Sequence, residues 1–126
     1  GETGLQLYKF GKITSMPKWQ KNFRPISFLD LVEENQEINA HSLILIDIGL
    51  DFREAIVELI ETCKERGLKI SNILVCSQLG TSKSKIYYGE ISKLQRIANK
   101  IKSPFCFVIP GKLHFMEREV LKKYQI

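Results

Sequence analysis

The side chains most often used in catalysis are sparse in this sequence and are not arranged in motifs. The two histidines, His41 and His114, are far apart, and neither belongs to a metal-ligand pattern with nearby carboxylates. Ser77 and Ser82 lack the Gly-x-Ser-x-Gly setting of a hydrolase nucleophile. The chain has neither a Gly-x-Gly-x-x-Gly fingerprint nor a Walker phosphate loop. Residue spacing therefore indicates no self-contained active site and no metal site.

Two polar residues remain of interest because they follow strand-like apolar runs. Asp47 comes at the end of one such run, and its carboxylate is predicted to accept hydrogen bonds from loop amides. His114 follows Pro110-Gly111 and falls in the first turn of the last predicted helix. Its ring is predicted to be partly buried and held by one hydrogen bond.

Composition is typical of a single intracellular domain. The chain has 126 residues, 44% of them hydrophobic, which is enough for one core without disulfides or metal. Its three cysteines form no Cys-x-x-Cys pair and are predicted to be small buried residues in a reducing compartment. The net charge of +5 permits an acidic partner, but it is too mild to predict direct nucleic-acid binding. No apolar run approaches the length of a membrane span, and no signal peptide opens the chain.

Hydrophobic periodicity divides the chain into nine elements in the order β, α, β, α, β, β, α, β, α. Strands are predicted over 5–13, 41–49, 72–80, 85–88 and 104–110, and helices over 27–38, 51–66, 90–101 and 113–124. The segment 14–25 holds two prolines and is predicted to be a loop. Ser27 and Asp51 are predicted helix N-caps, and Gly67 is a predicted helix stop.

This alternation predicts an α/β fold with a mixed, largely parallel β-sheet flanked by helices. Ligands of such sheets bind where strands end, near points at which the strand order reverses. We therefore expect the segments after Ile48, after Gln78 and around Pro110 to surround any ligand site.

Four stretches carry a resemblance to a known family, and they occur in the family's order. They are "GETGLQLYKFGK", "HSLILIDI", "LVCSQLGT" and "FVIPGKLHFMEREVL". Together they resemble the C-terminal half of the diphthine synthases, within the tetrapyrrole-methylase-like S-adenosylmethionine methyltransferases. The resemblance covers nearly the whole chain. It implies that residues 1–126 form a single C-terminal methyltransferase domain of a two-domain fold, without the N-terminal cofactor-binding domain.

The resemblance also implies an activity and a set of partners. Family members transfer methyl groups from S-adenosylmethionine to a modified histidine, the diphthamide precursor, of translation elongation factor 2. They are cytoplasmic enzymes and usually homodimers. The N-terminal half would be supplied in cis or as a separate chain, so this domain alone is expected to bind the cofactor weakly or not at all and to be inactive. No catalytic residue, metal, membrane or direct nucleic-acid contact is expected within it.

Three positions match those that contact the cofactor in the family: Ile46, Leu79 and Phe105. Two departures accompany them. The family has an arginine directly before the position of Leu79, where this chain has Gln78. It has a histidine at the position of Phe105. The segment after Ile48 is also shorter than in the family.

Two other functions remain open at this stage. The chain could be a non-catalytic dimerisation or interaction module derived from the fold, which the departures favour. It could also be a small basic α/β protein that binds RNA. Basic residues such as Lys18, Lys21, Arg24, Lys83 and Lys85 are either a solvated positive face or a surface that meets an acidic region of the elongation factor.

Overall fold

The computed structural model describes residues 10–20 and 25–126. Five strands are present: β1 (Thr14–Met16), β2 (Ser42–Ile46), β3 (Asn72–Ser77), β4 (Lys85–Glu90) and β5 (Phe105–Ile109). Four helices accompany them: α1 (Phe28–Glu37), α2 (Phe52–Arg66), α3 (Ile91–Arg96) and α4 (Phe115–Leu121). Short 3-10 turns, Ala98–Lys100 and Lys122–Tyr124, follow α3 and α4. Most of the strand predicted over 5–13 lies outside the described residues.

The strands form one sheet in the order β1-β2-β5-β3-β4. The predicted mixed α/β architecture is confirmed, but the prediction of a largely parallel sheet is wrong. Only β1 and β2 pair in parallel, whereas β2 with β5, β5 with β3, and β3 with β4 all pair antiparallel.

The sheet is mostly antiparallel because of the order of its strands, not because of the connections between them. Each helix crossover does join parallel strands, as the alternating pattern implies: β1 to β2, β2 to β3, and β4 to β5. The hairpin between β3 and β4 then reverses the chain direction. Because β5 inserts between β2 and β3, it separates two parallel strands and runs against both.

Residues of adjacent strands alternate between two apolar clusters, one on each face of the sheet. Phe107 and Ile109 of β5 belong to the larger cluster, which also contains residues of α1, α2 and α3. Their neighbour Val108 faces the smaller cluster, which Leu121 of α4 completes. On β2 the two faces are buried unequally, since Ile44 is fully buried and Leu45 is 47% exposed.

The helix boundaries of α2 follow from its caps. The Asp51 side chain accepts a hydrogen bond from the Glu54 amide at 2.8 Å, and Gly67 takes the left-handed conformation at φ 66°. At the start of α1 the prediction fails in detail, because Ser27 makes no side-chain cap. The short β1 was predicted to be loop. Its three residues alternate buried, exposed and buried, which is a strand pattern too short to detect beside Pro17.

Candidate functional site

The three predicted cofactor positions lie at one edge of the sheet. We call this the carboxyl edge, because β2 and β3 end there, while the antiparallel β5 begins there. Ser77 pairs with Phe105, and continuing the β2–β5 register places Ile46 beside Phe105 on its other side. Leu79 follows two residues after the end of β3. The fold thus brings together positions that are widely separated in sequence; their contact with a cofactor stays a prediction.

The segment after β2 is held by the segment after β1. The Asp47 amide donates to the Met16 carbonyl at 3.1 Å, and the Asp47 carboxylate accepts from the Lys18 amide at 3.3 Å. The Lys18 ammonium group reaches the Gly49 carbonyl at 3.1 Å. Asp47 therefore binds a loop amide, as predicted, and its carboxylate serves to order this corner of the edge.

The turn after β3 is fastened to the segment before β5 and carries local strain. The Ser77 hydroxyl donates to the Lys102 carbonyl at 2.6 Å, and the Gln78 amide donates to the Pro104 carbonyl at 2.7 Å. Gln78 has φ 52°, a left-handed conformation that is uncommon for a residue other than glycine. Such conformations concentrate at binding and catalytic sites, where the surrounding structure maintains them. Gln78 is also the position at which the family resemblance predicts an arginine.

The Phe105 ring packs mainly in the hydrophobic core. It is 8% exposed and packs edge-on against Phe52, with 5.6 Å between ring centroids, and its plane is tilted against that of Phe107 at 5.7 Å. Pairs of rings at such separations stabilise a fold beyond the area they bury. Only the rim of this ring therefore reaches the carboxyl edge. A histidine at the same position is polar and would not be expected to pack into the core in this way.

Apolar surface nevertheless remains open at this edge. Ile48 is fully exposed and Leu79 is 50% exposed. Ile48 belongs to a pocket of about 310 Å³, which is lined by Ile46, Asp47, Ile48, Gly49, Leu50, Ser103, Pro104 and Phe105. A ligand of drug size fits pockets of this order, with apolar walls and few polar groups. Another pocket, of about 510 Å³, lies between α2 and α3 and includes no strand end.

The turn after β5 does not join this site, contrary to the expectation for Pro110. Because β5 is antiparallel to β2 and β3, its own carboxyl end lies at the opposite edge, where Ile109 pairs with Ser42 at the start of β2. The backbone there is crowded. A Cβ atom on Gly111 would lie 2.6 Å from the carbonyl oxygens of Asn39 and Ala40, which explains a glycine at this position.

A buried polar network fixes this opposite edge, and residue spacing did not predict it. The side chains of His41 and Glu117 are 0% and 1% exposed, and the imidazole Nε2 lies 2.9 Å from the carboxylate Oε2. The Gly111 amide donates to His41 Nδ1 at 2.9 Å, and the His114 amide donates to Glu117 Oε1 at 3.0 Å. The His114 ring itself is exposed, so its predicted partial burial is wrong.

The tautomer of His41 follows from these bonds. A backbone N–H can only donate, so Nδ1 must present its lone pair to Gly111. The ring proton is therefore on Nε2, which donates to Glu117. Among the described residues, the carboxylate accepts from two donors, one on each oxygen. This arrangement is a structural lock between β2, the turn after β5 and α4.

The three cysteines differ in environment, although none is disulfide-bonded. Burial raises the pKa of the Cys63 thiol to about 11. Cys76 and Cys106 are directly paired across β3 and β5, and the hydrogen bond from Cys76 lowers the pKa of Cys106. Cys106 is only partly buried, which corrects the prediction that all three are buried.

Within the described ranges, no three His, Cys, Asp or Glu side chains come together as a group that could hold a metal ion. None of the helices in the described part of the chain is both long and apolar enough to span a bilayer.

The fold is that of the tetrapyrrole-methylase-like enzymes. More particularly, the chain is similar to diphthine synthases. It is 38% identical to the enzyme of Methanococcus maripaludis strain C6 over 133 residues, which cover 97% of this chain and 51% of that protein. The diphthine synthase of Methanocaldococcus jannaschii is also 38% identical, over 136 residues that cover 97% of this chain and 52% of that protein.

Solved structures agree with these sequence matches. The crystal structure of a candidate diphthine synthase from Entamoeba histolytica superposes with a TM-score of 0.92 and 25% identity, covering 100% of this chain and 55% of that one. A further diphthine synthase structure gives a TM-score of 0.84 at 24% identity, over 98% of this chain and 48% of that one. No family model matches the chain. The predicted resemblance to the C-terminal half of diphthine synthases is confirmed, and the chain spans about half the length of the relatives it matches.

Proposed function

We propose that this chain is the C-terminal, cofactor-walling domain of a diphthine synthase. The observation that carries the proposal is the convergence of Ile46, Leu79 and Phe105 at one open sheet edge, with exposed Ile48 beside them. The similarity to diphthine synthases along 97% of the chain supports the same conclusion. The reaction would be methylation of the diphthamide precursor, a modified histidine, on translation elongation factor 2 in the cytoplasm.

The residues present fit S-adenosylmethionine as one side of a cleft. Ile48, Leu79 and the margin of Phe105 form apolar surface of the kind that an adenosyl group covers, and the strand ends leave backbone groups of the edge loops near it. When bound, the sulfonium cofactor supplies an already activated methyl group. Transfer of such a methyl depends chiefly on alignment and on exclusion of water, so this domain needs to contribute shape rather than an acid or base.

A complete cleft requires a second wall. We propose that the N-terminal half, in cis or as a separate chain, provides it, and that the working enzyme is a homodimer. The fully exposed Ile48 and half-exposed Leu79 are apolar groups that such a wall would cover. Alone, the domain would bind the cofactor weakly and catalyse no transfer.

The test is calorimetric titration of S-adenosylhomocysteine, first into this chain and then into its fusion with the N-terminal half of the Methanocaldococcus jannaschii enzyme. We expect heat of binding only, or far more strongly, in the fusion. Replacing Leu79 by Asp should weaken that binding by about tenfold, equivalent to ~1.4 kcal/mol, because a carboxylate would be desolvated against the ligand.

Ile38→Asp is the matched control. Ile38 is 71% exposed and precedes β2 at the opposite edge of the sheet. Its substitution introduces the same charge at a similarly exposed apolar position and should leave the affinity unchanged. Equal weakening by both substitutions would contradict the assignment of the carboxyl edge.

Two features favour a second candidate, a non-catalytic dimerisation or interaction module. The Phe105 ring is turned into the core, and Gln78 stands where the family has arginine. For such a module the fused protein would fold and dimerise but give no heat with S-adenosylhomocysteine. The same titration therefore separates the two functions.

A further inference from the structure

Positive charge is distributed unevenly along this chain. Residues 67–116 contain eight basic residues and a single acidic one, Glu90, so this stretch carries more positive charge than the whole chain, whose net charge is +5. The remaining residues are net acidic. A basic stretch of this kind creates a local field that the modest overall charge conceals.

The fold gathers four of these lysines around one pocket beside the carboxyl edge. The pocket has a volume of about 560 Å³ and is lined by Ser77, Gln78, Lys83, Lys85, Tyr87, Lys100 and Lys102. Lys83 lies in the turn before β4, and Lys85 is the first residue of β4. Lys100 is the last residue of the 3-10 turn after α3, and Lys102 lies in the segment that follows it. We call this set the lysine pocket.

The described residues form no ion pair with the lysine pocket. Glu90 lies at the far end of β4 from Lys85, about 17 Å along the strand. Asp47, at the same edge, follows β2, which is three strands from β4 and hence about 14 Å away. Both separations exceed the Debye length of ~8 Å at physiological salt.

The position of the lysine pocket connects it to the candidate site. Ser77 and Gln78 line the pocket; Ser77 is the last residue of β3, and Gln78 follows it directly before Leu79. The lysine pocket therefore lies on the flank of the proposed cofactor cleft, on the side of β4, which is the outermost strand of the sheet. A macromolecule that brings an acceptor side chain to the cleft would cover this flank.

We propose that the lysine pocket docks an acidic segment of the protein substrate, next to the side chain that is methylated. This inference rests on the proposed function, since it assumes a protein acceptor at the carboxyl edge. Four flexible ammonium groups suit several carboxylates on an extended segment, each held as a point charge. Complementary charge of this kind steers encounter and fixes the orientation of the bound partner.

The composition of the pocket favours an acidic polypeptide over nucleic acid. The described part of its lining contains no arginine and one aromatic residue, the partly buried Tyr87. Single-stranded nucleic acids are commonly held by several aromatic stacking platforms, and arginine dominates recognition of phosphates and bases. An RNA surface is thus the competing outcome of the test.

The experiment measures binding of fluorescein-labelled octaglutamate to the 126-residue chain by anisotropy at low salt, with an eight-nucleotide uridine RNA as the comparison. In the test variant, Lys83, Lys85, Lys100 and Lys102 are replaced by Ala. The control variant replaces Lys64, Lys69, Lys93 and Lys123, which are also exposed but do not line the pocket, and has the same net charge. Circular dichroism confirms that both variants are folded.

We expect the test variant to lose about tenfold or more in affinity for octaglutamate, since each exposed pair contributes about twofold. The control should stay within about twofold of the parent chain, because its lysines do not line the pocket and would form no direct pair with the bound peptide. Equal loss in both variants would show a general charge effect and overturn the proposal, as would tighter binding of the RNA than of the peptide. Cofactor binding by the fusion protein is measured separately, so failure of the docking proposal and failure of the proposed methyltransferase function give different results.

Discussion

Replacing Glu117 by Gln tests the buried lock at the opposite edge of the sheet. Glutamine has nearly the same shape as glutamate but offers one acceptor oxygen and one N–H₂ group. Two donors converge on the native carboxylate, the His41 Nε2–H at 2.9 Å and the His114 amide at 3.0 Å. In the variant, one of these donors must face the N–H₂ group of the glutamine, which is itself a donor.

His41 cannot escape the conflict by changing its tautomer. Moving the ring proton to Nδ1 would set it against the Gly111 amide, which lies 2.9 Å away and can only donate. With both side chains buried, water cannot replace the lost acceptor. Leaving one buried donor unsatisfied costs about 1–3 kcal/mol. For a chain of this length, the melting temperature should fall by about 4–12 °C.

The assay is urea unfolding followed by circular dichroism and by the fluorescence of the single tryptophan, Trp19. Glu119→Gln is the matched control, because Glu119 lies on the same helix, is 45% exposed and pairs with Lys122 on the surface. It should cost no more than about 0.5 kcal/mol. If Glu117→Gln were as mild as this control, or if nitrogen NMR found the His41 proton on Nδ1, the assigned bond pattern would be refuted.

Two further predictions concern thiol reactivity and helix capping. Timed alkylation followed by mass spectrometry should modify Cys106 well before Cys63, since a hydrogen bond lowers the pKa of the first thiol and burial raises that of the second to about 11. Because the Cys63 thiol stays protonated when folded, its contribution to stability should fall as pH rises from 9.0 towards 11, and Cys63→Val should remove that part of the pH dependence. Asp51→Ala should cost about 1 kcal/mol in urea unfolding, whereas Ser27→Ala, which removes no cap, should cost little; equal effects would contradict the observed caps.

Local patterns predicted the elements well, because they depend on neighbours within a few residues. The 3.6-residue stripe between Asp51 and Gly67 predicts α2 with its two caps, and those residues perform as expected in the structure. The strand order was not predictable in this way. Periodicity reports which face of a strand is buried but carries no information on which strand lies beside it, so the insertion of β5 between β2 and β3 could not be foreseen.

The same limit explains the missed partnership of His41 and Glu117, which join distant parts of the chain. A weak signal was available: His41 opens an apolar run at a position that turns out to be completely buried, and buried polar groups require partners. At the candidate site the residues were predicted, but their closeness in space was not. Ile46, Leu79 and Phe105 came from family resemblance rather than from spacing, and only the fold brings them to one edge.

One edge of the sheet is closely packed and the other is exposed, and β5 runs from one to the other. Its last residues lead into the "PGKLH" turn, where a crowded glycine, a fixed tautomer and a buried carboxylate hold the backbone in place. Its first residue, Phe105, lies at the edge where apolar side chains are exposed, Gln78 is strained and four lysines lack described acidic partners. Conformational strain and uncovered charge reduce stability, so they are retained where binding compensates for them. The "PGKLH" turn therefore serves to hold β5 in place, and the chemistry proposed for the protein belongs to the other end of the same strand.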